Sequence, residues 1–183
     1  MCPCGSGLTR TASYGPHQAR ARASVHFGSS VAGAGDVNGD GFDDLIVGAF
    51  DDDPNGSVSG ASFVVFGKTD GTAVELSAVE AGTGGFVING VSAGDRSGFS
   101  VSSAGDVNGD GFDDLIIGSR YADAYGYSNS GAAYVVFGTD QSLTATFDLS
   151  ELDGTNGFRV TPRFNYDQVG YSVSNAGDVN GDG

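Results

Sequence analysis

The chain has 183 residues, a formal net charge of −15 and only two cysteines, Cys2 and Cys4. So acidic a surface repels nucleic acid and anionic membranes, and two cysteines one residue apart are too close for an ordinary disulfide. The 32 glycines, with only 4 prolines, exclude collagen and favour a β protein rich in turns.

Residues 1–24 are predicted to form a disordered N-terminal tail. This segment is polar, contains scattered arginines and lacks the apolar core of a secretory signal. No stretch of the sequence approaches the ~18 consecutive apolar residues that a membrane-spanning helix requires. We therefore predict that the chain has no membrane span and no nucleic-acid partner.

Beyond the tail, the sequence predicts two units of four strands each. The predicted strands are 27–37, 43–50, 60–67 and 85–90 in the first unit, and 98–107, 113–120, 131–138 and 157–161 in the second. Their β-branched and aromatic residues, bounded by glycine, favour strand over helix. The continuous apolar runs at 115–117 and 134–137 suit strands that are covered on both faces. Repeated four-stranded antiparallel units of this length are typical of propeller blades.

One string, Ala-Gly-Asp-Val-Asn-Gly-Asp-Gly, occurs three times, starting at Ala34, Ala104 and Ala176. Each copy places side-chain oxygens at alternate loop positions, and a backbone carbonyl and a further carboxylate follow in the two complete copies. The predicted ligands are Asp36, Asn38, Asp40, Phe42 and Asp44; Asp106, Asn108, Asp110, Phe112 and Asp114; and Asp178, Asn180 and Asp182. Oxygen donors without histidine or cysteine favour Ca²⁺ over zinc or copper.

Two other interpretations explain these loops less well. An EF-hand requires a glutamate at position 12 and flanking helices, but Val47 and Ile117 stand at that position within strand-like runs. Aspartate, asparagine and glycine are also ordinary turn residues, which explains the composition but not three copies of one spacing. The third copy stops at Gly183, before positions 7 and 9, so we expect weak metal binding there and a chain that is a fragment.

The segments that flank the loops point to a known family. Phe27-Gly28 precedes the first loop and Gly48-Ala49 follows its strand, as in the FG-GAP repeat of integrin α-subunit propellers, which this sequence resembles. The later copies are looser and read Gly98-Phe99 with Gly118-Ser119, and Gly170-Tyr171. The near identity of the copies favours the bacterial secreted or surface type of these repeats.

The resemblance implies an all-β fold and, in the complete protein, a seven-bladed β-propeller. Blade 1 would cover residues 25–95 and blade 2 residues 96–166, with a truncated start of blade 3 at 167–183. It also implies a calcium-binding module of an extracellular or cell-surface protein. Such a module mediates adhesion or binds a protein or glycan ligand, and it packs against further blades of the same protein.

An alternative is the non-catalytic propeller part of a larger secreted enzyme, such as a polysaccharide lyase or a phospholipase. Catalysis needs a nucleophile, acid or base in a pocket shielded from water. The two histidines, His17 and His26, have no recognisable partner motif. We therefore predict that the chain itself is not an enzyme and contains no catalytic residues.

Overall fold

The computed structural model describes residues 26–140 and 145–177, which form β-strands and very little helix. The strands are β1 (Phe27–Gly35), β2 (Asp44–Ala49), β3 (Ala61–Val65), β4 (Gly85–Asn89), β5 (Ser97–Gly105), β6 (Asp114–Ser119), β7 (Ala132–Val136), β8 (Thr146–Asp148) and β9 (Gly157–Val160). A short helix, α1 (Leu76–Glu80), and two 3₁₀ turns (Ala124–Gly126 and Leu149–Glu151) lie between strands. The predicted tail over 1–24 lies outside the described residues.

The strands form two sheets that repeat one antiparallel arrangement. The order is β1-β2-β3-β4-β8 in the first sheet and β5-β6-β7-β9 in the second. Val31 pairs with Val47 in the first, and Val101 pairs with Ile117 at the equivalent register in the second. All eight predicted strands are present, with ends within two residues of the predicted ones. The all-β prediction is confirmed, and the sheets are two blades of an incomplete β-propeller.

The main apolar core lies between the two sheets. Ile46, Val64 and Phe86 of the first sheet belong to one buried cluster with Leu115 and Ile117 of the second. These side chains are fully removed from water, with relative exposures of 0 to 1%. Burying a side chain of this size contributes about 1.5–3 kcal/mol. The sheets are therefore held together mainly by apolar surface that neither could bury alone.

A second apolar cluster covers the opposite face of the first sheet. Phe63 of β3 and Val87 of β4 are buried there together with Val79 of α1. Phe63 and its neighbour Val64 thus point to opposite faces, and both faces are covered. This explains why β3 is apolar without alternation.

Neighbouring units approach most closely at glycines. A Cβ atom at Gly48 would lie 2.0 Å from the carbonyl oxygen of Gly98, and one at Gly118 would lie 2.1 Å from that of Gly170. Because any side chain at either position would collide with backbone, the glycine that ends each apolar run is required by this contact. The second contact also shows that residues 161–177 begin to pack on the second unit as the second packs on the first.

Two elements were not predicted from the sequence. Strand β8 belongs to the second unit by sequence, yet it pairs in parallel with β4 of the first sheet. Asn55 secures it, since its Nδ2 donates to Asp148 Oδ1 and to the Gly90 carbonyl, both at 2.8 Å. Helix α1 and β8 have five and three residues, which is too few to show a periodic pattern. No helix in the described part of the chain is long and apolar enough to cross a bilayer.

The Gly48 contact gives a first testable prediction. Gly48→Ala should lower the free energy of unfolding by at least about 2 kcal/mol, because the new methyl group forces the units apart. Gly33→Ala is the matched control, since a Cβ atom there meets nothing within 4 Å. Urea unfolding followed by circular dichroism measures both. Equal stability of the two variants would contradict the packing described here.

Candidate metal-binding loops

The two complete candidate loops occupy equivalent positions in the two sheets. One connects β1 to β2 and the other connects β5 to β6, so each lies in the first hairpin of its unit. Gly41 has a φ angle of +89° and Gly111 one of +93°, a left-handed conformation that glycine adopts without strain. These glycines curl the chain back on itself. The side chains before them therefore face the inside of a tight loop.

Hydrogen bonds inside the first loop draw its polar side chains together. The Asp36 carboxylate accepts the N–H groups of Asp40 at 3.0 Å and of Gly41 at 2.9 Å. Asn38 Oδ1 also accepts from the Asp40 N–H, at 2.9 Å, and its Nδ2 donates to Asp40 Oδ2 at 2.9 Å. Asp40 Oδ1 accepts from the Phe42 N–H at 3.0 Å. Three predicted ligand side chains thus share one network.

The second loop reproduces this network. The Asp106 carboxylate accepts the N–H groups of Asp110 at 3.1 Å and of Gly111 at 2.9 Å. Asn108 Nδ2 donates to Asp110 Oδ2 at 2.8 Å, and Asp110 Oδ1 accepts from Phe112 at 3.0 Å. The same string thus forms the same core network in two different units, and the second loop adds a bond from the Gly109 N–H to Asp106 Oδ1 at 2.7 Å.

Asp44, at position 9 of the first loop, is only 1% exposed and joins the loop to the sheet. Its Oδ2 accepts the Val37 N–H at 3.0 Å, and its Oδ1 accepts the Gly67 N–H at 2.8 Å. Burial raises the pKa of Asp44, these two hydrogen bonds lower it, and the negative charges of Asp40 and Asp36 raise it. The sequence predicted a ligand here. The structure adds that this carboxylate ties the loop to the end of β3.

Asp114 repeats this arrangement in the second unit with no solvent exposure at all. Its carboxylate accepts the N–H groups of Val107 at 2.8 Å and of Gly138 at 2.9 Å. Burial again raises the pKa of the carboxyl, and the charges of Asp110 and Asp106 act in the same direction. Both units therefore hold a buried acid beside two other acids.

The donor set of each loop fits a hard cation in its chemistry. It consists of three carboxylates, one amide oxygen and one backbone carbonyl, all of which are oxygens. Over residues 26–140 and 145–177, however, no three carboxylate, histidine or cysteine side chains form a group ready to hold a metal. The carboxylates accept hydrogen bonds from backbone N–H groups instead. The calcium assignment therefore stays a prediction, and Asp178, Asn180 and Asp182 of the third loop lie outside the described residues.

A separate polar cavity of about 230 Å³ lies beside the β4–β5 connection. Its walls include Asp95, Asp123, Tyr134 and Arg159. Burial raises the pKa of Asp95 to about 6, the Ser92 N–H opposes this rise, and the charge of Asp123 adds to it. Catalytic acids have such pKa values, but so do buried acids in turns. The sequence patterns did not predict a role for this group.

The repeat favours a structural role for Asp95. Its Oδ2 accepts the Ser92 N–H at 3.1 Å, which holds the turn before β5. Asp167 stands at the equivalent place in the next unit and accepts the N–H groups of Arg163 and Phe164, both at 2.8 Å. Asp95 and Asp167 each precede by three residues a glycine that contacts the neighbouring unit, and this recurrence was the signal available in the sequence.

His26 has a partner that the sequence did not reveal. Its Nδ1 contacts the Asp51 carboxylate, and its ring stacks on Phe50 with centroids 5.4 Å apart. The His26 side chain is 63% exposed. The pair therefore lies at the surface, open to solvent.

Comparison with known proteins identifies the repeated unit. Residues 27–65 and 97–136 match the FG-GAP repeat family. Each matched segment runs from the first strand of a unit, through the candidate metal loop, to its third strand. The match therefore covers the loops described above in both units.

Several animal integrin α-subunits align with most of the chain. Integrin alpha pat-2 of Caenorhabditis elegans is 32% identical over 160 residues, which cover 85% of this chain and 12% of the relative. Integrin alpha-4 of Xenopus laevis is 30% identical over 163 residues, which cover 86% of this chain and 14% of the relative. Integrin alpha-V of Gallus gallus is 33% identical over 166 residues, which cover 87% of this chain and 14% of the relative. The chain thus spans a small part of these relatives, and they lend no support to the bacterial type favoured from the sequence.

The buried Asp95 gives a second prediction, for the chain in a calcium chelator. Because its pKa is raised in the folded state, its contribution to stability is present below about pH 4 and is lost as pH rises through about 6. Asp95→Asn cannot ionise, so it should be more stable than wild type by about 1–3 kcal/mol at pH 7.5 and by less at pH 4.5.

Thermal unfolding at the two pH values tests this prediction, with Asp140→Asn as an exposed control that removes the same charge. The result would go against the buried-acid description if Asp95→Asn destabilised the chain at pH 7.5. A gain of the same size at both pH values would do so as well.

Proposed function

Because this chain belongs to the FG-GAP repeat family, we propose that it is part of a calcium-binding β-propeller module of an extracellular or cell-surface adhesion protein. The observation that carries the proposal is the pair of identical oxygen-rich loops on adjacent FG-GAP units. Integrin α-subunits, which align with 85 to 87% of the chain, support the adhesion part.

Calcium is the cofactor that the loop chemistry favours. Each loop brings four carboxylates within nine residues, and two of them raise the pKa of the buried one at position 9. A divalent cation relieves this repulsion and supplies positive charge to several oxygens at once. Asp36, Asn38, Asp40 and Asp44 would hold it in the first loop, with the Phe42 carbonyl. The corresponding residues 106–114 would do so in the second.

The proposed location rests on the affinity expected of an extracellular calcium site. Extracellular calcium modules bind with Kd values of ~10⁻⁴–10⁻³ M, which suits the millimolar calcium outside cells. A site of this kind would remain empty in the cytosol. The proposed role for bound calcium is to hold the first hairpin of each unit rigid, so that the surface of the propeller keeps one shape for a ligand.

The proposed partners are a protein ligand and further blades of the same protein. Support for a protein ligand comes only from the integrin relatives, and nothing in the comparisons supports the glycan ligand considered from the sequence. We propose that the chain is not an enzyme. The propeller part of a larger secreted enzyme remains the second candidate, and no contact among residues 26–140 and 145–177 favours it over adhesion.

Calcium titration is the direct test of the proposed site. Calorimetry of the 183-residue chain should show two sites, and 10 mM calcium should raise the melting temperature. A site with a Kd of ~0.1 mM contributes ~2.7 kcal/mol at that concentration. Absence of both heat and stabilisation would remove the metal assignment.

Paired variants identify the ligands. Asp40→Ala combined with Asp110→Ala should abolish the calcium-dependent rise in melting temperature, because each loop loses its position-5 carboxylate. Asp70→Ala combined with Asp140→Ala removes the same charge outside the loops and should leave the rise intact. If the first pair still gains as much as wild type, these aspartates are not ligands.

The adhesion part has a separate test. Beads coated with the chain should bind purified extracellular-matrix proteins in about 1 mM calcium and release them when calcium is chelated. Beads that carry the double variant at residues 40 and 110 should bind in neither condition. Equal binding with and without calcium would contradict a calcium-stabilised recognition surface.

A further inference from the structure

The two candidate metal loops are bonded directly to each other. The backbone N–H of Asp36, at position 1 of the first loop, donates to Asp113 Oδ2 at 2.9 Å. In return, the backbone N–H of Asp113, at position 8 of the second loop, donates to the Asp36 carbonyl at 3.1 Å. These two hydrogen bonds form a closed ring between the loops. Asp36 therefore cannot move without disturbing Asp113.

Two glycines of the first loop make room for this contact. A Cβ atom at Gly35 would lie 2.2 Å from Asp113 Oδ2, and one at Gly39 would lie 2.4 Å from Cε1 of Phe112. Val37, the residue after Asp36, takes part in a third hydrogen bond between the units. Its carbonyl accepts the Thr139 N–H at 2.9 Å. The first loop thus rests against the second along residues 35–39.

The linking residue lies between two predicted ligands of the second loop. Phe112 supplies the position-7 carbonyl and Asp114 the position-9 carboxylate, so Asp113 is bracketed by both. Whatever orders Phe112 and Asp114 also fixes the backbone of Asp113. Asp113 in turn fixes the backbone of Asp36, which carries the first ligand of the neighbouring loop.

Asp43 provides an internal comparison. It stands at position 8 of the first loop, as Asp113 does in the second, but its side chain is exposed to solvent. Across residues 26–140 and 145–177 it makes no hydrogen bond like that of Asp113. The two positions have the same residue type, the same loop chemistry and the same charge. They differ in the contact with a neighbouring loop.

We propose that Asp113 is a positioning residue that couples the two calcium sites. This inference rests on the proposed calcium binding. When the second loop is ordered around its ligand, Asp113 holds Asp36 in place, and the first loop loses less conformational freedom on binding. The coupling is reciprocal, because an equilibrium coupling between two sites acts equally in both directions.

The test compares single-loop variants with wild type. Asp110→Ala leaves only the first site and Asp40→Ala only the second, and calorimetry gives each Kd with the other loop empty. The product of the two wild-type dissociation constants should be about fivefold smaller than the product of these single-loop values, at the lower end of known couplings. Equality of the two products would overturn the coupling while leaving calcium binding intact. Absence of binding in wild type would remove both proposals.

Three further variants assign the coupling to the Asp113 bond. Each is combined with the single-loop variants. The quantity measured is again the product of the two single-loop dissociation constants divided by the product for the chain with both loops intact, called the ratio below. Asp113→Ala should bring the fivefold ratio to one, because no side-chain acceptor remains for the Asp36 N–H. Asp113→Asn keeps an acceptor oxygen without the charge and should restore much of the ratio. Asp43→Ala removes the same charge next to the other loop and should leave the ratio unchanged.

A purely structural role would give a different pattern. Asp113→Ala would then lower the melting temperature equally with and without calcium, and the ratio would stay at its wild-type value. That result, or an equal loss of the ratio in Asp43→Ala, would overturn the role of Asp113. The Asp113→Asn variant keeps the test usable if the alanine variant does not fold.

Discussion

The mutual repulsion of carboxylates within each loop is the constraint on which the first hairpin of both described units depends. Backbone N–H groups neutralise part of the charge, as in the bonds that Asp36 accepts from Asp40 and Gly41. They do not remove it, because the pKa of the buried Asp44 is raised by its burial and by the neighbouring acids. The hairpin is therefore held by the same acids that oppose its closure. A bound cation would therefore stabilise the hairpin by neutralising these acids.

Some contacts between units repeat along the chain. Val101 donates its N–H to Ser30 Oγ at 3.0 Å, and Val173 donates to Ser100 Oγ at 2.9 Å. In each case the serine belongs to one unit and the N–H donor to the following unit, so the two sides of the interface are different. Units that bury their faces only against neighbours form a one-dimensional stack, in which loop order and blade packing support each other.

The sequence predicted what each unit does alone. Apolar runs bounded by glycine gave all eight repeated strands, and the loop spacing placed Asp36, Asn38 and Asp40 in one network. Contacts between units were not predictable, because the repeated strings do not encode which neighbour they touch. Strand β8 pairs with a sheet other than that of its own unit, and its three residues are too few to show a periodic pattern. The role of Asp95 was missed although its recurrence as Asp167, three residues before Gly170, was visible in the sequence.

Identical residues therefore acquire different roles from their place in the stack. Gly35 lies against Asp113, whereas a Cβ atom at the equivalent Gly105 would meet no described residue closer than 3.6 Å. Gly39 lies against Phe112, whereas a Cβ atom at Gly109 would meet no described residue within 4 Å. Within residues 26–140 and 145–177, the two loops with the same predicted ligands thus have different neighbours. Because preorganisation governs how much binding energy is spent on ordering, equal sequences need not have equal affinities. The affinity of each proposed calcium site would then depend on the neighbouring unit as well as on the motif.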